Sequence, residues 1–392
     1  MTLSSLPQAA ASLRTALAAA GRGLVERDAL LELVVLAAVA GEHVLVIGPP
    51  GTAKSAAVRR IARAVGGNYF EYLLGRFTEP GEIFGPVDLR KLRDGRVETE
   101  TAGMLPEAEI AFLDEVFLGS TAILNALLGI LAERVFRRGH TVMRCPLRVC
   151  VGAANALPQE EGLAAFADRF LVRVFVDAIP DARLEELLEQ GAAASHDLDA
   201  PLTSLAQLDV LAAAARGVDL DGVRPALVHA IRRLRAAGIA LSDRRLVKIQ
   251  RLVAAAAALA GRTRAGEGDL WPIVAAVPTA AEQAQTRDAL RDLLQRSESG
   301  VLGAAAAESS LGPLARAARL ADDADRVLAQ DPGSEPLARE AWRLKLEAIA
   351  REIDASFHPN DLPAAAARVR AAIVARFAAL DGDAPMPAPD PV

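Results

Sequence analysis

The sequence has few aromatic residues, no excess of positive charge and no long apolar run. Aromatic residues make up 4% of its 392 residues, and the formal net charge is −6. Proteins dedicated to nucleic-acid binding carry basic surfaces and aromatic side chains for base stacking, so both values argue against that class. An apolar stretch at 253–260 is too short to cross a bilayer, which takes about 20 residues.

Cysteine is also scarce, and the sequence contains only Cys145 and Cys150. They lie close together in an apolar region and lack the spacing of a metal site, so we expect buried thiols in a reducing compartment. The first 24 residues are amphipathic and are interrupted by Arg14, which is not typical of a secretory signal. The sequence therefore predicts a cytoplasmic protein without a transmembrane segment.

The chain is rich in alanine and leucine and predicts many helices. Two helices are expected in 1–40, separated at Gly21-Arg22-Gly23. Between 44 and 176, short apolar runs alternate with helical patterns, as in a parallel sheet covered on both faces. The expected strands are 44–47, 69–73, 110–113, 148–152 and 172–176. After about 180 only helices are predicted, and no repeat of fixed period is present.

Two segments interrupt this alternation. In 89–100, Asp94-Gly95 is flanked by alternating polar and apolar residues, which predicts a β-hairpin. A second hairpin is expected at 134–145, turning at Arg138-Gly139. A helix is predicted between them at 120–134, capped by Ser120. At the far end, 381–392 is acidic and rich in proline, and is expected to be disordered.

Residues 44–62 read VLVIGPPGTAKSAAVRRIA and nearly match the phosphate-binding pattern G-x-x-x-x-G-K-[ST]. In such a loop, backbone N–H groups wrap the phosphates, the lysine neutralises them, and the hydroxyl ligates Mg²⁺. The loop follows an apolar strand and opens a helix, as the chemistry requires. The predicted nucleotide-binding residues are Gly48, Pro49, Pro50, Gly51, Thr52, Ala53, Lys54 and Ser55, with Ser55 also a metal ligand.

Ala53 replaces the second glycine of the pattern. We expect Gly51 to adopt a positive φ angle inside the turn, where glycine is favoured. We expect Ala53 to lie where the chain enters the helix, a position at which a methyl group is tolerated and alanine is favoured by its helix propensity. On this interpretation the substitution leaves the loop competent for phosphate binding.

Acidic and amide side chains follow two further strands. Asp114 and Glu115 end the run AEIAFLDE, where the aspartate can hold Mg²⁺ and the glutamate can orient and deprotonate a water molecule. Asn155 ends the run VCVGAAN and is expected beside the loop, near the γ-phosphate or the attacking water.

Three arginines complete the candidate site. Arg169 precedes the last strand and could reach the γ-phosphate bound to a neighbouring subunit as an arginine finger. Arg244 and Arg245 lie in the first turn of a helix that Ser242 is expected to cap. Cations are disfavoured at this end of a helix, which suggests a task such as contacting the γ-phosphate. The sequence favours neither arginine over the other, and we assign the role to Arg244.

These elements, in this order, resemble an AAA+ ATPase. GPPGTAKS resembles Walker A and FLDE resembles Walker B, while Asn155, Arg169 and Arg244 match sensor 1, the arginine finger and sensor 2. The stretches GRFTEPGEIFGPVDLRKLRDGRVE and GMLPEAEIAFLDEVFLGSTAILNALLGILAERVFRRG are similar to the MoxR group, most closely its RavA-type branch. The Ala-Lys-Ser variant of the loop is similar to what that branch carries.

The resemblance implies an α/β AAA+ core with a five-stranded parallel sheet and hairpin inserts. The implied domains are the core at 1–180, with a helix-2 insert at about 76–104 and a hairpin at 134–145, an all-α lid at 181–278, C-terminal helices at 279–380, and the tail. It also implies that Val25 borders the adenine. The implied activity is ATP hydrolysis with Mg²⁺ in a ring, a hexamer, that remodels a protein client with a von Willebrand factor A domain partner.

Other functions share parts of this pattern. A metal-chelatase or rubisco-activase-like motor subunit would carry the same insert and differ in its client. A nucleic-acid motor could use the basic segments 90–96 and 134–144 to contact phosphates, although the acidic balance argues against it. A ring that binds ATP without hydrolysing it would have lost Asp114, Glu115 or Arg169, and all three are present.

Overall fold

The computed structural model describes residues 5–193, 200–295, 297, 299–330, 335–357 and 362–382. Residues 383–392 of the predicted disordered tail lie outside this range. The chain forms two compact units, one made of 1–178 with 189–310 and the other of 179–188 with 311–392. In the described part of the chain, no helix combines the length and the apolarity that a bilayer crossing requires.

A five-stranded, all-parallel sheet forms the centre of the first unit, with the strand order β2-β3-β6-β1-β7. Its strands are β1 Val44–Ile47, β2 Tyr69–Leu73, β3 Ile110–Asp114, β6 Val149–Ala154 and β7 Val172–Phe175. The five strands predicted from short apolar runs are confirmed. β1, β3 and β6 are buried almost throughout, as expected for strands covered on both faces.

Helices surround this sheet and extend the first unit. They are α1 Leu6–Gly21, α2 Asp28–Ala40, α3 Lys54–Val65, α4 Pro80–Phe84, α5 Leu89–Arg93, α6 Thr121–Glu133, α7 Glu161–Ala167, α8 Leu184–Ala193 (shared with the second unit), α9 Leu205–Arg216, α10 Arg224–Ala236, α11 Asp243–Leu259, α12 Pro272–Ala275, α13 Ala280–Ala289, α14 Arg291–Leu294 and α15 Gly303–Leu311. The predicted caps are confirmed: Ser120 and Ser242 accept hydrogen bonds from the N–H groups of Ile123 and Arg245.

The two inserts differ from each other. The 134–145 segment forms the expected hairpin, with β4 Val135–Arg138 paired antiparallel to β5 Thr141–Arg144. The hairpin predicted for 89–100 is wrong, because its first arm is the helix α5. Asp88 caps that helix by accepting hydrogen bonds from two N–H groups, and a single bridge joins Val87 to Thr99. An aspartate at the helix start therefore overrides the Asp-Gly turn signal.

The second unit has its own apolar core, formed by α16 Pro313–Leu328, α17 Pro336–Ser356 and α18 Ala364–Gly382. Trp342 is buried in this core and donates a hydrogen bond from Nε1 to the Val327 carbonyl at 2.7 Å. Buried aromatic residues of this kind commonly find a partner for their polar atom. The helices predicted for the C-terminal region are therefore present in the described residues.

Candidate nucleotide site

The phosphate-binding loop lies between the central strand β1 and helix α3. Gly48 leaves the strand and donates its N–H to the Ala154 carbonyl at 3.1 Å. A Cβ atom at this position would lie 2.1 Å from the Val176 carbonyl oxygen, so no larger residue fits. The sheet packing on either side of β1 therefore requires the first glycine of the pattern.

The tip of the loop is exposed and its backbone is left-handed at two positions. Pro49, Pro50 and Gly51 are exposed. Gly51 has the expected positive φ, +78°, and a Cβ there would meet nothing within 4 Å. The space beside Gly51 is therefore open, as the approach of a phosphate group requires.

Ala53 corrects the interpretation made from the sequence. It has φ 59° and ψ 25°, a left-handed conformation, and α3 begins one position later at Lys54. The methyl group is thus carried at a position that favours glycine, at a cost of about 1 kcal/mol. The expectation that alanine is favoured here by helix propensity is wrong, because the turn into the helix is completed at residue 53.

Lys54 is held inside the loop. Its Nζ donates hydrogen bonds to the carbonyl oxygens of Gly48 at 2.7 Å and Pro49 at 2.9 Å. Burial lowers the pKa of its ammonium group, and the nearby carboxylates of Asp114 and Glu115 oppose this shift. The positive charge therefore lies at the loop and within electrostatic reach of both carboxylates, while the neighbouring Ser55 is half-buried.

Asp114 and Glu115 lie at the carboxyl end of β3. Asp114 Oδ1 accepts the N–H of Glu115 at 2.9 Å. Glu115 has φ 48° and ψ 45°, a second left-handed residue that is not glycine. Strained backbone of this kind clusters at functional sites, where it fixes the direction of a side chain.

Asn155 joins the two halves of the site. It follows β6, whose last carbonyl receives the Gly48 N–H, and it donates from Nδ2 to Glu115 Oε1 at 2.7 Å. The amide thus holds the glutamate beside the phosphate-binding loop. The predicted proximity of the ends of β1, β3 and β6 follows from their adjacent positions in the parallel sheet.

The two arginines of α11 have different environments. Arg244 is exposed, whereas Arg245 has 2% of its side chain exposed and donates from Nε to Asp168 Oδ1 at 2.7 Å. Arg245 is fully engaged in contacts within the chain, so of the two only Arg244 is available to a ligand. Arg169 is half-buried, and within the described residues its Nε has no hydrogen-bond partner.

Arg27 is a site residue that the sequence analysis missed. It precedes α2, is 5% exposed, and donates to the carbonyls of Thr52 and Asp177, each at 2.9 Å. Burial lowers the pKa of its guanidinium group. This arginine therefore fixes the phosphate-binding loop to the segment after β7. Val25, predicted to border the adenine, is buried nearby at 6% exposure.

Comparison with known families agrees with this geometry. A family model described as the MoxR domain in the MoxR-vWA-beta-propeller ternary systems matches residues 11–213. A model of an AAA lid domain matches residues 225–288. The first match covers the sheet, the phosphate-binding loop and both inserts, and the second covers α11 with its two arginines.

Individual relatives match over smaller parts. An uncharacterized protein of Methanocaldococcus jannaschii is 39% identical over 250 residues, which cover 63% of this chain and 66% of that protein. The chain therefore spans slightly less than two thirds of that relative's length. Chaperone MoxR1 of Mycobacterium tuberculosis is 31% identical over 159 residues, which cover 40% of this chain and 41% of that protein.

A solved structure shares the fold. The crystal structure of a Cytophaga hutchinsonii protein that carries a provisional ATPase name aligns with a TM-score of 0.60 at 15% identity, covering 75% of this chain and 96% of that one. At this identity the likeness concerns the fold alone. The MoxR match extends over more than half of the 392 residues, and the chain belongs to the MoxR group of AAA+ ATPases.

Proposed function

We propose that this chain is an ATP hydrolase that works in a ring as a chaperone-like remodelling motor of the RavA type. The observation that carries the proposal is the hydrogen bond between Asn155 and Glu115 at 2.7 Å, beside the loop that holds Lys54. A polar amide that fixes a carboxylate next to a phosphate-binding loop suits the positioning of a water molecule for attack on a phosphoryl group.

The loop residues would bind the phosphates of ATP. The exposed N–H groups around Gly51 would contact phosphate oxygens, and the Lys54 ammonium would move from the loop carbonyls to the β- and γ-phosphates. Lysine is well suited to this exchange, since its flexible stem carries a compact charge. The positive end of α3 would add to the attraction.

Ser55 and Asp114 would hold Mg²⁺. Both offer oxygen atoms, which Mg²⁺ prefers. The influence of Asp114 on the pKa of Lys54 supports this role, because it indicates that the carboxylate lies near the phosphate-binding loop. When bound, Mg²⁺ would neutralise charge on the β- and γ-phosphate oxygens. Asp114 would bind it with the oxygen that does not accept the Glu115 N–H.

Glu115 would orient the attacking water and accept its proton. Asn155 would keep the carboxylate in place and contact the water or the γ-phosphate. Arg169 of the next subunit would stabilise charge in the transition state, an effect worth about 10³–10⁵ in rate for arginine fingers. Arg244 would contact the γ-phosphate from the lid helix α11. These roles require a ring, which we propose to be a hexamer.

A partner with a von Willebrand factor A domain is part of the proposal. Its support is the description of the matching family, which names MoxR, vWA and β-propeller components together. We further propose that the ring acts in the cytoplasm on protein or metal-cofactor complexes. The hairpin β4–β5 and the 76–104 insert would transmit motion to the client.

The test is ATP turnover by the purified chain as a function of protein concentration. We expect specific activity to rise with concentration, because each site needs an arginine from a second subunit. Lys54→Ala should lose nucleotide binding and turnover, whereas Arg169→Ala should lose turnover and still bind nucleotide. Turnover that is unchanged in Lys54→Ala would contradict the proposal.

A matched control separates the finger from a general effect of losing an arginine. Arg224 is the first residue of helix α10, has 57% of its side chain exposed, and pairs with Asp221, which precedes the helix. Arg224→Ala should therefore keep wild-type turnover. Equal losses in Arg224→Ala and Arg169→Ala would show that the loss does not come from the finger.

A further inference from the structure

The segment 167–171, which carries Arg169, is held by two buried arginines from different elements. Arg245 reaches it from α11 and donates to Asp168 Oδ1 at 2.7 Å, to the Leu171 carbonyl at 2.8 Å and to the Phe170 carbonyl at 3.0 Å. One guanidinium group thus contacts three residues of the segment. Such a planar group with several donors in fixed directions constrains backbone position strongly.

Arg173 holds the other end of the segment. It lies on β7, is 4% exposed, and donates from Nη2 to the Ala167 carbonyl at 2.6 Å. Burial, helped by the charge of Arg245 and opposed by Asp168, lowers its pKa to about 9. Two cations are therefore buried close together, and the Asp168 carboxylate offsets their repulsion.

The side chain of Arg169 itself has a different environment. Its backbone N–H is bonded to the Phe166 carbonyl at 3.0 Å, so its main chain is fixed like that of its neighbours. Within the described residues, its side-chain Nε has no hydrogen-bond partner. We call the contacts of Arg245 and Arg173 with the segment 167–171 the clamp. The clamp thus fixes the main chain at Arg169 and leaves its side-chain Nε without a hydrogen bond in the described part of the chain.

The same helix turn carries both Arg244 and Arg245. Because neighbouring residues of a helix point in different directions, Arg244 is exposed while Arg245 is buried against 168–171. Arg245 also donates to the Ala276 carbonyl at 2.5 Å, which ties the clamp to the end of α12. Any displacement of the first turn of α11 therefore acts directly on the segment that carries Arg169.

We propose that Arg245 and Asp168 are positioning residues that couple two nucleotide sites of the ring. The inference rests on the proposed function, in which Arg244 contacts the nucleotide of its own subunit and Arg169 that of the neighbour. A nucleotide that draws Arg244 inward moves the first turn of α11, and Arg245 passes this movement to Arg169. Neither clamp residue touches the nucleotide.

The decisive variant is Asp168→Asn. It keeps the size of the side chain and removes the charge that holds Arg245 and offsets Arg173. Asp168 has 32% of its side chain exposed, so the substitution is compatible with folding. We expect kcat to fall by about 10–100-fold, the range expected when a catalytic group shifts by up to about 1 Å. Nucleotide Kd should stay within about twofold, and the Hill coefficient for ATP should fall toward one.

A double variant tests whether Asp168 acts through Arg169. Asp168→Asn combined with Arg169→Ala should be no slower than Arg169→Ala alone, because the clamp has nothing left to position. Additive losses, or a wild-type kcat and Hill coefficient in Asp168→Asn, would overturn the proposal. Arg224→Ala is the control and should match wild type in all three quantities.

Hydrogen exchange gives a readout that does not depend on turnover. Amides at 169–171 should exchange faster in Asp168→Asn, whereas those of β1 should be unchanged. Unchanged exchange at 169–171 would overturn the clamp. Faster exchange in a chain that shows no ATP turnover even as wild type would instead refute the proposed function and the coupling, and leave the clamp as a feature of the fold.

Discussion

The two edges of the central sheet carry polar groups that are held in opposite ways. At the amino edge, just before β1, Glu42 is 1% exposed and accepts hydrogen bonds from Lys248 and Arg251 of α11. At the carboxyl edge, Lys54 donates hydrogen bonds to two loop carbonyls, and Ala53 and Glu115 adopt left-handed backbone conformations. Charges at the first edge are neutralised by partners within the chain, while the second edge retains strain and charge.

The buried histidine at the amino edge likewise has partners within the chain for its ring nitrogens. His43 accepts the Cys150 N–H at Nδ1 at 2.9 Å, and its Nε2 lies 3.0 Å from the Leu131 carbonyl. Burial therefore keeps the ring neutral, with its pKa well below the usual value. Proteins store strain where it serves function and satisfy polar groups elsewhere. We therefore expect substitutions at the carboxyl edge to change turnover and those at the amino edge to change stability.

Among the substitutions that compare the two edges, Glu115→Gln should have the largest effect. The glutamine keeps an oxygen that can accept the Asn155 amide, but it cannot take a proton from water. ATP turnover should fall by about 10²–10⁴-fold, the contribution of a general base, while nucleotide Kd and the free energy of unfolding stay the same. Phosphate release measures turnover, nucleotide titration measures Kd, and urea denaturation measures the free energy of unfolding. Wild-type turnover in this variant would remove Glu115 from the mechanism.

Glu42→Ala tests the amino edge. It leaves Lys248 and Arg251 without their carboxylate, but these are 24% and 58% exposed and can reach water. The free energy of unfolding should therefore fall by about 1–3 kcal/mol, the cost of losing a partly buried hydrogen-bonded charge. Turnover per folded molecule should not change.

Urea denaturation with Glu71→Ala as the control isolates burial as the cause. Glu71 is 29% exposed and pairs with Arg59, which is 44% exposed. Its loss should cost less than about 1 kcal/mol. Equal losses for the two glutamates would contradict the distinction between the edges.

Glu32 sharpens the comparison, because it is a half-buried carboxylate of α2 that accepts the Ala305 N–H at 2.7 Å. Burial raises its pKa from 4.5 to about 7. The folded chain therefore holds a proton that the unfolded chain has released, so this contribution to stability is present below pH 4.5 and is lost as pH rises through 7. The slope is at most about 1.4 kcal/mol per pH unit.

Glu32→Gln removes this titration and keeps an oxygen for the Ala305 N–H. The variant should be more stable than wild type at pH 8, and the difference should shrink as pH falls toward 5. Urea denaturation at several pH values measures it. A difference that does not depend on pH would show that the carboxylate is ionised in the folded chain throughout.

The smallest effect is expected for Ala53→Gly. Relief of the left-handed strain should stabilise the folded chain by about 1 kcal/mol. Glycine also raises the conformational entropy of the unfolded chain, which costs a similar amount of stability. The melting temperature and nucleotide Kd should therefore stay close to wild type. Ala53→Val is the matched contrast, since a β-branched residue is strongly disfavoured at positive φ. A large gain in nucleotide affinity for Ala53→Gly would show that the strain limits binding.

Much of the fold was predictable because it depends on local signals. Short apolar runs identify the five strands, and glycines with a following lysine identify the loop after β1. Position 48 must be glycine because any Cβ there would collide with the Val176 carbonyl on the neighbouring part of the sheet. This requirement comes from a distant residue, but the sequence pattern of the loop already includes the glycine. The predicted buried and free state of Cys145 and Cys150 is likewise confirmed.

The parts that failed or were missed depend on distant or single-residue effects. Arg27 and Arg245 contact residues far away in the sequence, so no spacing pattern indicates their partners. The choice between Arg244 and Arg245 needed the direction of each side chain, which the helix register of α11 determines. Ala53 was misplaced by one residue at a helix boundary, the least certain part of any prediction from sequence.

The bonds of Arg27 have a consequence for the limits of the nucleotide-binding region. A fragment that started at β1 would contain every residue of the phosphate-binding pattern, but it would leave the carbonyl of Thr52 without the donor it has in the whole chain. Compact domains are usually excised at exposed, sparsely bonded boundaries. Here the stretch before the first strand is an integral part of the phosphate-binding loop, so the smallest piece that preserves that loop begins no later than Arg27.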